Sequence, residues 1–275
     1  MTEAQPQTGF LDVQGAPLYY EVAGTGHPLL LIHAGVADSS MWDDQFQTFA
    51  LHYRVIRYDL RGFGRSVIPD GPFAHHEDTF ALLQHLGIKQ THIIAISFGG
   101  LVALDFALAH PEMVTSLVLG APDVSGRESS STDVHRFAEK EEALLERGDL
   151  AGAAELNVLT WVVGLRRTPD QVDPIVRQRI YDMQYHAFTV PMPDKAENLS
   201  LEPPAITRLS EIQIPTLLIV GEYDIPDTQE LVKQLAVEIP QAQQVVIPDA
   251  AHIVNMEQSA EFNRIVLEFL KNCPT

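Results

Sequence analysis

Short, continuous apolar runs recur along the first half of the chain and again near its end. The runs are LLLIHAG (29–35), YRVIRYD (53–59), THIIAIS (91–97), TSLVLGA (115–121), PTLLIVGEYD (215–224) and QQVVIPDA (243–250). The first four lack the alternation of a strand with one solvated face, so they predict buried parallel strands, and the last two resume the alternation of strands and helices. Residues 10–23 instead alternate on either side of QGA, which predicts an antiparallel hairpin.

Segments of helical length separate these runs, and one long region has no strand pattern. From about residue 130 to 195 the apolar spacing predicts several amphipathic helices. Alternating strands and helices predict an α/β fold with a mostly parallel, doubly wound sheet. We therefore expect a core formed by residues 1–125 and 206–275, with a helical cap or lid inserted at 126–205.

Composition and charge exclude several classes of partner. The 275 residues include 18 Lys and Arg against 37 Asp and Glu, a net charge of −19, which disfavours binding to nucleic acid. No stretch is apolar enough for a membrane span and no secretory signal is visible, so we expect a cytoplasmic protein that does not bind membranes. We expect it to be either a monomer or a homodimer. A single cysteine, Cys273, and the lack of a zinc-type histidine pair predict no disulfide, no metal and no cofactor.

Ser97 lies between an apolar run and a helical pattern, with the small residues Ala95 and Gly99 on either side. A sharp turn at this point can raise the serine hydroxyl above the sheet. The start of the helix also turns free backbone N–H groups, including that of Phe98, toward a developing oxyanion. The alternative is that Ser97 only caps the helix. The other residues must therefore decide between these two roles.

An acid and a base follow Ser97 in the order that α/β-hydrolases use. Asp224 comes directly after TLLIVGEY and His252 after VVIPDAA, so both belong to the carboxyl ends of predicted strands. We predict His252 as general base and Asp224 as the carboxylate that orients it. Of the competing carboxylates, Glu222 is expected in a loop or at the surface, and Asp227 at the N-cap of the next helix.

Taken in order, these segments resemble the α/β-hydrolase superfamily over nearly the whole chain. LLLIHAG is similar to its oxyanion loop, RYDLRGFGRS to its YDxRGxGxS stretch, AISFGG to its nucleophile elbow, and VGEYD and AAHIVNMEQ to its acid and histidine segments. HAGVADSSMWDDQ resembles the small enol-lactonase-like and carboxylesterase-like serine hydrolases. The departures are Ala95 in place of the first elbow glycine, Ile96 where the family often has His, and His33-Ala34-Gly35 in place of the HG pair.

The resemblance implies roles for further residues. The backbone N–H of Gly35, or of Val36 beside it, becomes the second oxyanion donor together with Phe98. The expected structural residues are His33, Asp59, Arg61, Arg65 and Ser66. The expected pocket residues are Val36, Trp42, Phe137, Trp161, Met183, Phe188 and Ile253. For those in the cap, which would cover the strand ends, the alternative is that they only pack the cap helices together. Four arginines of the cap are expected either to bind a substrate carboxylate or to be solvated: Arg166, Arg167, Arg177 and Arg179. His75 and His76 are expected at a solvated helix start.

The predicted function is hydrolysis of carboxylic esters or lactones of small, largely apolar substrates, through an acyl-enzyme on Ser97. Relatives that attack with Asp are excluded, because position 97 is a serine. Carbon–carbon bond hydrolysis and perhydrolysis remain alternatives on the same triad. A ligand receptor of the same fold with slow turnover is an alternative of another class.

Overall fold

A computed structural model gives the structure of residues 6–275. Its strands are β1 (Gln7–Val13), β2 (Ala16–Ala23), β3 (Pro28–Ile32), β4 (Arg54–Tyr58), β5 (Pro72–Phe73), β6 (Thr91–Ile96), β7 (Val114–Gly120), β8 (Glu197–Asn198), β9 (Thr216–Gly221) and β10 (Ala242–Ile247). Eight of them form one sheet in the order β1-β2-β4-β3-β6-β7-β9-β10, and the short strands β5 and β8 pair with each other.

The main sheet is parallel except where β2 is involved. β2 runs antiparallel to β1 and to β4, and the other neighbouring strands pair in parallel. The β1–β2 hairpin turns at Gln14 and Gly15, whose φ values of 58° and 78° suit a tight two-residue turn. The predicted α/β-hydrolase fold, a mostly parallel sheet with an antiparallel hairpin near the N-terminus, is confirmed.

Helices cover both faces of the sheet. They are α1 (Asp43–Ala50), α2 (His75–His85), α3 (Phe98–Ala109), α4 (Thr132–Glu146), α5 (Leu150–Asn157), α6 (Pro174–Thr189), α7 (Pro226–Glu238), α8 (Val254–Glu257) and α9 (Ser259–Leu270). Leu82, Val102 and Leu231, from α2, α3 and α7, belong to the core on one face. Phe46 and Phe262, from α1 and α9, belong to the core on the other face.

Burial on both faces explains the apolar runs. Every residue of β6, β7 and β9 is buried, so these strands have no solvated side that would select alternating polar residues. No helix of the described residues 6–275 is long and apolar enough to cross a membrane.

Between β7 and β9 the chain leaves the sheet and forms three helices. We call residues 132–189, with α4, α5, α6 and a π-helical turn at Val158–Val163, the helical insertion. Unlike the central strands β6, β7 and β9, in which every residue is buried, α4 has no buried residue.

The carboxyl ends of five neighbouring strands meet at one edge of the sheet. The strands are β3, β6, β7, β9 and β10, and the chain order reverses between β3 and β6. Open α/β sheets bind ligands outside the carboxyl ends of their strands at such a reversal. We call this edge the rim.

Candidate active site

Ser97 occupies a strained position between β6 and α3. Its φ of 54° and ψ of −121° lie in a region that L residues rarely adopt, at a cost on the order of 1–3 kcal/mol. The backbone N–H of Ser97 donates to the carbonyl of Gly120, 2.9 Å away, which holds the strained residue on the end of β7. The Ser97 side chain makes no capping hydrogen bond to α3. The hydroxyl therefore does not perform the helix-capping role considered as the alternative.

Two glycines allow the strained turn to fit. A Cβ on Gly99 would lie 2.5 Å from the His33 carbonyl oxygen and 2.6 Å from that of Ile32, closer than side-chain atoms approach. A Cβ on Gly100 would lie 2.6 Å from Cβ of Pro122. The start of α3 therefore packs directly on the end of β3, and this brings Ser97 next to the loop that carries Gly35.

Asp224 and His252 form a buried pair on the same rim. Nδ1 of His252 lies 3.1 Å from each carboxylate oxygen of Asp224, and the two residues are 1% and 5% exposed. Since an ionised carboxylate can only accept, Nδ1 carries the proton. The second ring nitrogen, Nε2, is then the unprotonated one, which is the form that a general base requires.

Gly221 makes this pairing possible. A Cβ at Gly221 would lie 2.0 Å from the carbonyl oxygen of Ala251 and 2.4 Å from that of Ala250. Only glycine lets the end of β9 approach the loop after β10 this closely. Asp224 lies three residues beyond Gly221 and His252 directly follows Ala251, so the close approach brings acid and base together.

The link between Ser97 and His252 is not closed by a hydrogen bond. Among the described residues, the Ser97 hydroxyl donates no hydrogen bond to His252. Catalytic hydrogen bonds are often long without substrate and tighten in the complex. The structure therefore contains a serine on a sharp turn and a preformed imidazole–carboxylate pair at one rim.

Three backbone N–H groups beside Ser97 are free to bind an oxyanion. Within residues 6–275, no hydrogen bond is donated by the N–H of Gly35, Val36 or Phe98. Gly35 contacts Phe98 closely, since a Cβ on Gly35 would lie 3.2 Å from Cβ of Phe98. Gly35 and Val36 both remain candidates for the second donor.

The competing carboxylates have other partners. Glu222 is exposed and accepts from the backbone N–H of Asp249 at 3.3 Å. Asp227 accepts from Arg127 and from the Ser129 hydroxyl, each at 2.9 Å. The expectation that Asp227 is an N-cap is wrong, because α7 begins at Pro226 and its N-cap is Ile225.

Asp123 is a further carboxylate of the rim that sequence reasoning missed. It lies after β7, and its backbone N–H donates to the Ser97 carbonyl at 3.0 Å. Its side chain is reachable by solvent but closely surrounded by protein, and this desolvation raises the pKa of the carboxyl, opposed by Arg127. The sequence does contain a signal for it, because Asp123 comes one residue after the apolar run TSLVLGA.

His33 and Arg61 are occupied within the fold. Nδ1 of His33 donates to the Ala34 carbonyl at 2.8 Å and Nε2 accepts from the Leu60 N–H at 2.9 Å. Burial lowers the pKa of His33, which is 0% exposed, so the ring stays neutral. Arg61 makes a two-bond pair with Asp78 at 2.8 and 2.9 Å.

The remaining residues of this group also bond within the fold. Asp59 accepts from the backbone N–H groups of Ser39 and Arg65, each at 2.8 Å. The hydroxyl of Ser66 donates to the Asp59 carbonyl at 2.6 Å, and the guanidinium of Arg65 lies over the Tyr19 ring.

Two adjoining cavities reach Gly35. One is lined partly by Phe188 of α6, and the other by Phe98. They share a set of lining residues: Gly35, Arg61, Phe63, Ile68 and Met192.

The other predicted pocket residues lie elsewhere. Phe137 and Trp161 line a separate groove, although the Trp161 ring also packs on His252 with centroids 4.8 Å apart. Trp42 and Ile253 are 0% exposed and Val36 is 9% exposed, all in the apolar core. Met183 is buried and its sulfur accepts from the Ser40 hydroxyl at 3.2 Å.

His75 and His76 are buried, so the expectation of a solvated helix start is wrong. The His75 ring meets Phe73 and Phe98 edge-on, with centroids 5.3 and 5.2 Å away. This burial lowers the pKa of His75 to about 3, and the ring is neutral. Within residues 6–275, no three His, Cys, Asp or Glu side chains group as a metal site.

The arginines of the helical insertion differ in their partners. Arg167 pairs with Glu257 at 2.6 Å and donates to the carbonyls of Val162 and Val163. Burial raises the pKa of Glu257 to about 7, and Arg167 opposes this shift.

The other three arginines lie outside the cavities that reach Gly35. Arg179 pairs with Asp44 at 3.0 Å, and Arg166 donates to the Glu222 carbonyl. Arg177 lines an outer cleft with Glu155.

Comparison with known proteins agrees with this geometry. The model of the family described as the alpha/beta hydrolase fold matches residues 27–259. The chain therefore belongs to the α/β-hydrolase fold family.

Individual relatives indicate hydrolytic chemistry. The chain is 28% identical to a protein named putative carbamate hydrolase RutD from Azorhizobium caulinodans, over 92% of this chain and 95% of the relative. It is 28% identical to a thermophilic esterase from Thermogutta terrifontis, with a TM-score of 0.76 and 98% of each chain covered. It is 25% identical to the enol-lactonase from Burkholderia xenovorans LB400, with a TM-score of 0.76 and coverage of 96% and 100%. These likenesses support a hydrolase of this fold.

Proposed function

We propose that the protein is a serine hydrolase that cleaves carboxylic esters or lactones of small molecules. Ser97 is the nucleophile, His252 the general base and Asp224 the carboxylate that orients the imidazole. The backbone N–H of Phe98, with that of Gly35 or Val36, stabilises the oxyanion. The esterase and enol-lactonase likenesses support this substrate class.

The strained conformation of Ser97 is the observation that carries the proposal. Backbone strain of this kind persists where function requires it, because selection otherwise removes a cost on the order of 1–3 kcal/mol. The hydroxyl gives up its capping bond to α3 in this position. The backbone strain and the missing capping bond are both explained if the Ser97 oxygen must face a substrate above the sheet.

The mechanism follows from the protonation state of the pair. Nε2 of His252 takes the hydroxyl proton while the Ser97 oxygen attacks the carbonyl carbon, and Asp224 stabilises the imidazolium that forms. The free backbone N–H groups bind the carbonyl oxygen as it becomes an oxyanion. The imidazolium then returns its proton to the leaving alcohol, and the same base activates water to release the acid.

The core and the cap divide this work. We assign residues 1–125 and 206–275 to the core that carries the reacting groups and residues 126–205 to the cap that covers them. A cap over the strand ends controls pocket shape and the access of water. Of the predicted pocket residues, we assign Phe188 to the wall that contacts substrate and Trp161 to the support of His252.

Labelling with a fluorophosphonate tests the proposal. Mass spectrometry of the adduct should locate it on Ser97, and Ser97→Ala should abolish both labelling and the turnover of p-nitrophenyl acetate. Ser131→Ala is the matched control, because Ser131 does cap its helix by accepting from the N–H of Val134. Labelling of another residue, or full turnover by Ser97→Ala, would overturn the assignment. Labelling without repeated turnover of any ester or lactone would favour the receptor alternative.

A further inference from the structure

One of the two cavities beside Gly35 has a polar ceiling. The cavity has a volume of about 360 Å³ and is lined by Gly35 from the core and by residues of the helical insertion. Each of the three insertion helices contributes one polar side chain: Glu141 from α4, Asn157 from α5 and Gln184 from α6. We call these three residues the polar ceiling.

The carboxylate of Glu141 is only partly used. One oxygen accepts from Nδ2 of Asn157, which also donates to the Ala153 carbonyl at 3.0 Å. Among residues 6–275, no Lys, Arg or His forms an ion pair with Glu141. A carboxylate has about four acceptor sites, so most of the acceptor capacity of this cavity-lining residue has no protein partner.

Gln184 is a second, independent sign that this ceiling receives a ligand. The residue is 5% exposed, and its Oε1 has no hydrogen-bond partner among the described residues. A buried amide oxygen without a partner is destabilising, and native proteins retain few such groups without a reason. Gln184 lines the cavity, so rotation of its amide would bring this enclosed oxygen to a ligand group there.

The positive charge on the cavity wall is already balanced. Arg61 also lines the cavity, but its five N–H groups donate to the two Asp78 oxygens and to three carbonyls, those of Val13, Ala16 and Val67. A guanidinium has five N–H donors, so none is left for a substrate carboxylate. The charge that remains unbalanced at this cavity is the negative charge of Glu141.

We propose that the substrate carries a cationic N–H group, such as a primary ammonium, remote from its scissile carbonyl, and that Glu141 and Gln184 are the specificity-determining residues that bind it. This inference rests on the proposed ester or lactone hydrolysis at Ser97. The scissile carbonyl lies at Gly35 and Ser97, and the ammonium group extends to the polar ceiling. A carboxylate at the same place would face Glu141 and be repelled.

Matched pairs of esters test the inference. The first pair is the p-nitrophenyl ester of ε-aminocaproic acid and that of heptanoic acid, which differ only by an ammonium group in place of a methyl group. The second pair carries the same difference on the alcohol, as the acetates of ε-aminohexanol and heptanol. The readout is the ratio of kcat/KM for the amino ester to that for the alkyl ester, at neutral pH.

The wild-type ratio should exceed one in at least one pair, and Glu141→Gln should lower that ratio about tenfold, the loss expected for a hydrogen bond to a charged group. Gln184→Met, which keeps the side-chain volume, should lower it less. Glu142→Gln is the matched control, because Glu142 is the exposed neighbour on α4 and lines no part of the cavity. Thermal unfolding of each variant checks that the fold is intact.

The outcomes separate the inference from the proposed function. Hydrolysis of both members of each pair with a wild-type ratio at or below one, or with the same ratio in Glu141→Gln, overturns the inference and leaves serine hydrolysis standing. Absence of hydrolysis for all four esters overturns the proposed function and the inference together.

Discussion

Helices α3 and α4 show how differently the core and the helical insertion are built. Most residues of α3 are buried, and the helix directly follows the strained Ser97. None of the 15 residues of α4 is buried, yet α4 supplies Glu141 to the cavity. The difference is one of depth: α3 is packed inside the core, whereas α4 is the outer helix of an insertion that meets the core through apolar residues of α6 and of the π-helical turn, such as Val162 and Ile180.

Ion pairs also join the insertion to the core. Arg167 pairs with Glu257 at 2.6 Å, and both side chains are almost fully buried. Arg179 pairs with Asp44 at 3.0 Å in a more exposed setting. Substitutions in the core should therefore affect catalysis or folding directly, and substitutions in these pairs should act through the position of the insertion.

The largest effect is expected on catalysis in the core. Asp224→Asn should lower kcat about 10⁴-fold, because asparagine cannot hold Nδ1 of His252 as the protonated nitrogen or stabilise the imidazolium. Glu222→Gln is the control and should leave kcat nearly unchanged, because that exposed carboxylate bonds only to Asp249. Steady-state kinetics with p-nitrophenyl acetate measure both, and a loss shared equally between them would remove Asp224 from the triad.

Breaking the buried tie between insertion and core should have the next largest effect. Arg167→Met leaves Glu257 without its ion pair and should lower the free energy of unfolding by about 3 kcal/mol, with a higher KM. Arg264→Met breaks an exposed pair with Glu261 and should cost less than about 1 kcal/mol. Urea unfolding compares the two variants. Similar losses of unfolding free energy in the two variants would mean that the Arg167–Glu257 pair does not stabilise the packing of the insertion on the core.

Close packing at the elbow predicts a somewhat smaller loss of stability. Gly99→Ala forces a methyl group against the carbonyl oxygens of Ile32 and His33 and should cost about 2 kcal/mol of unfolding free energy. Gly71→Ala meets nothing within 4 Å and serves as the control. Denaturant unfolding and ester turnover of both variants are the measurements. An unaffected Gly99→Ala would contradict the tight contact between α3 and β3.

The smallest predicted effect is a pH dependence of stability. Burial lowers the pKa of His75 from 6.5 to about 3. As the pH falls below 6.5, the unfolded chain binds a proton at this histidine while the folded chain does not, so the folded state loses stability between pH 6.5 and about 3.

His75→Phe removes this contribution. Its stability relative to wild type should rise by on the order of 1 kcal/mol between pH 7 and pH 5. Thermal or urea unfolding at both pH values measures the change, with His135→Phe, at an exposed position of α4, as the control. A constant difference across this range would show that His75 is not held neutral by the fold.

The sequence was sufficient for the centre of the sheet because β6, β7 and β9 are buried on both faces. Continuous apolar runs such as THIIAIS have few alternatives to a central strand, and a polar residue directly after such a run belongs to the rim. The same reasoning selected Ser97, Asp224 and His252. It could also have selected Asp123, which follows β7 in the same way.

The pocket could not be predicted to the same depth. Amphipathic spacing predicts that a helix forms but leaves open which part of its surface meets a cavity, since this depends on how the helix packs. Phe137 and Trp161 line a separate groove, while Glu141 and Gln184 reach the cavity beside Gly35. Likewise, the polar residues of HHED predict a solvent-exposed segment, but His75 is buried by its contacts with aromatic side chains.

One backbone contact joins the helical insertion to His252. The N–H of His252 donates to the carbonyl of Trp161 at 3.2 Å, so the π-helical turn of the insertion is bonded to the backbone of the residue that carries the imidazole. Raising this end of the insertion would release that residue as well. The position of residues 158–163 and the backbone position of His252 are therefore coupled, so a change in the packing of this turn is transmitted to the imidazole.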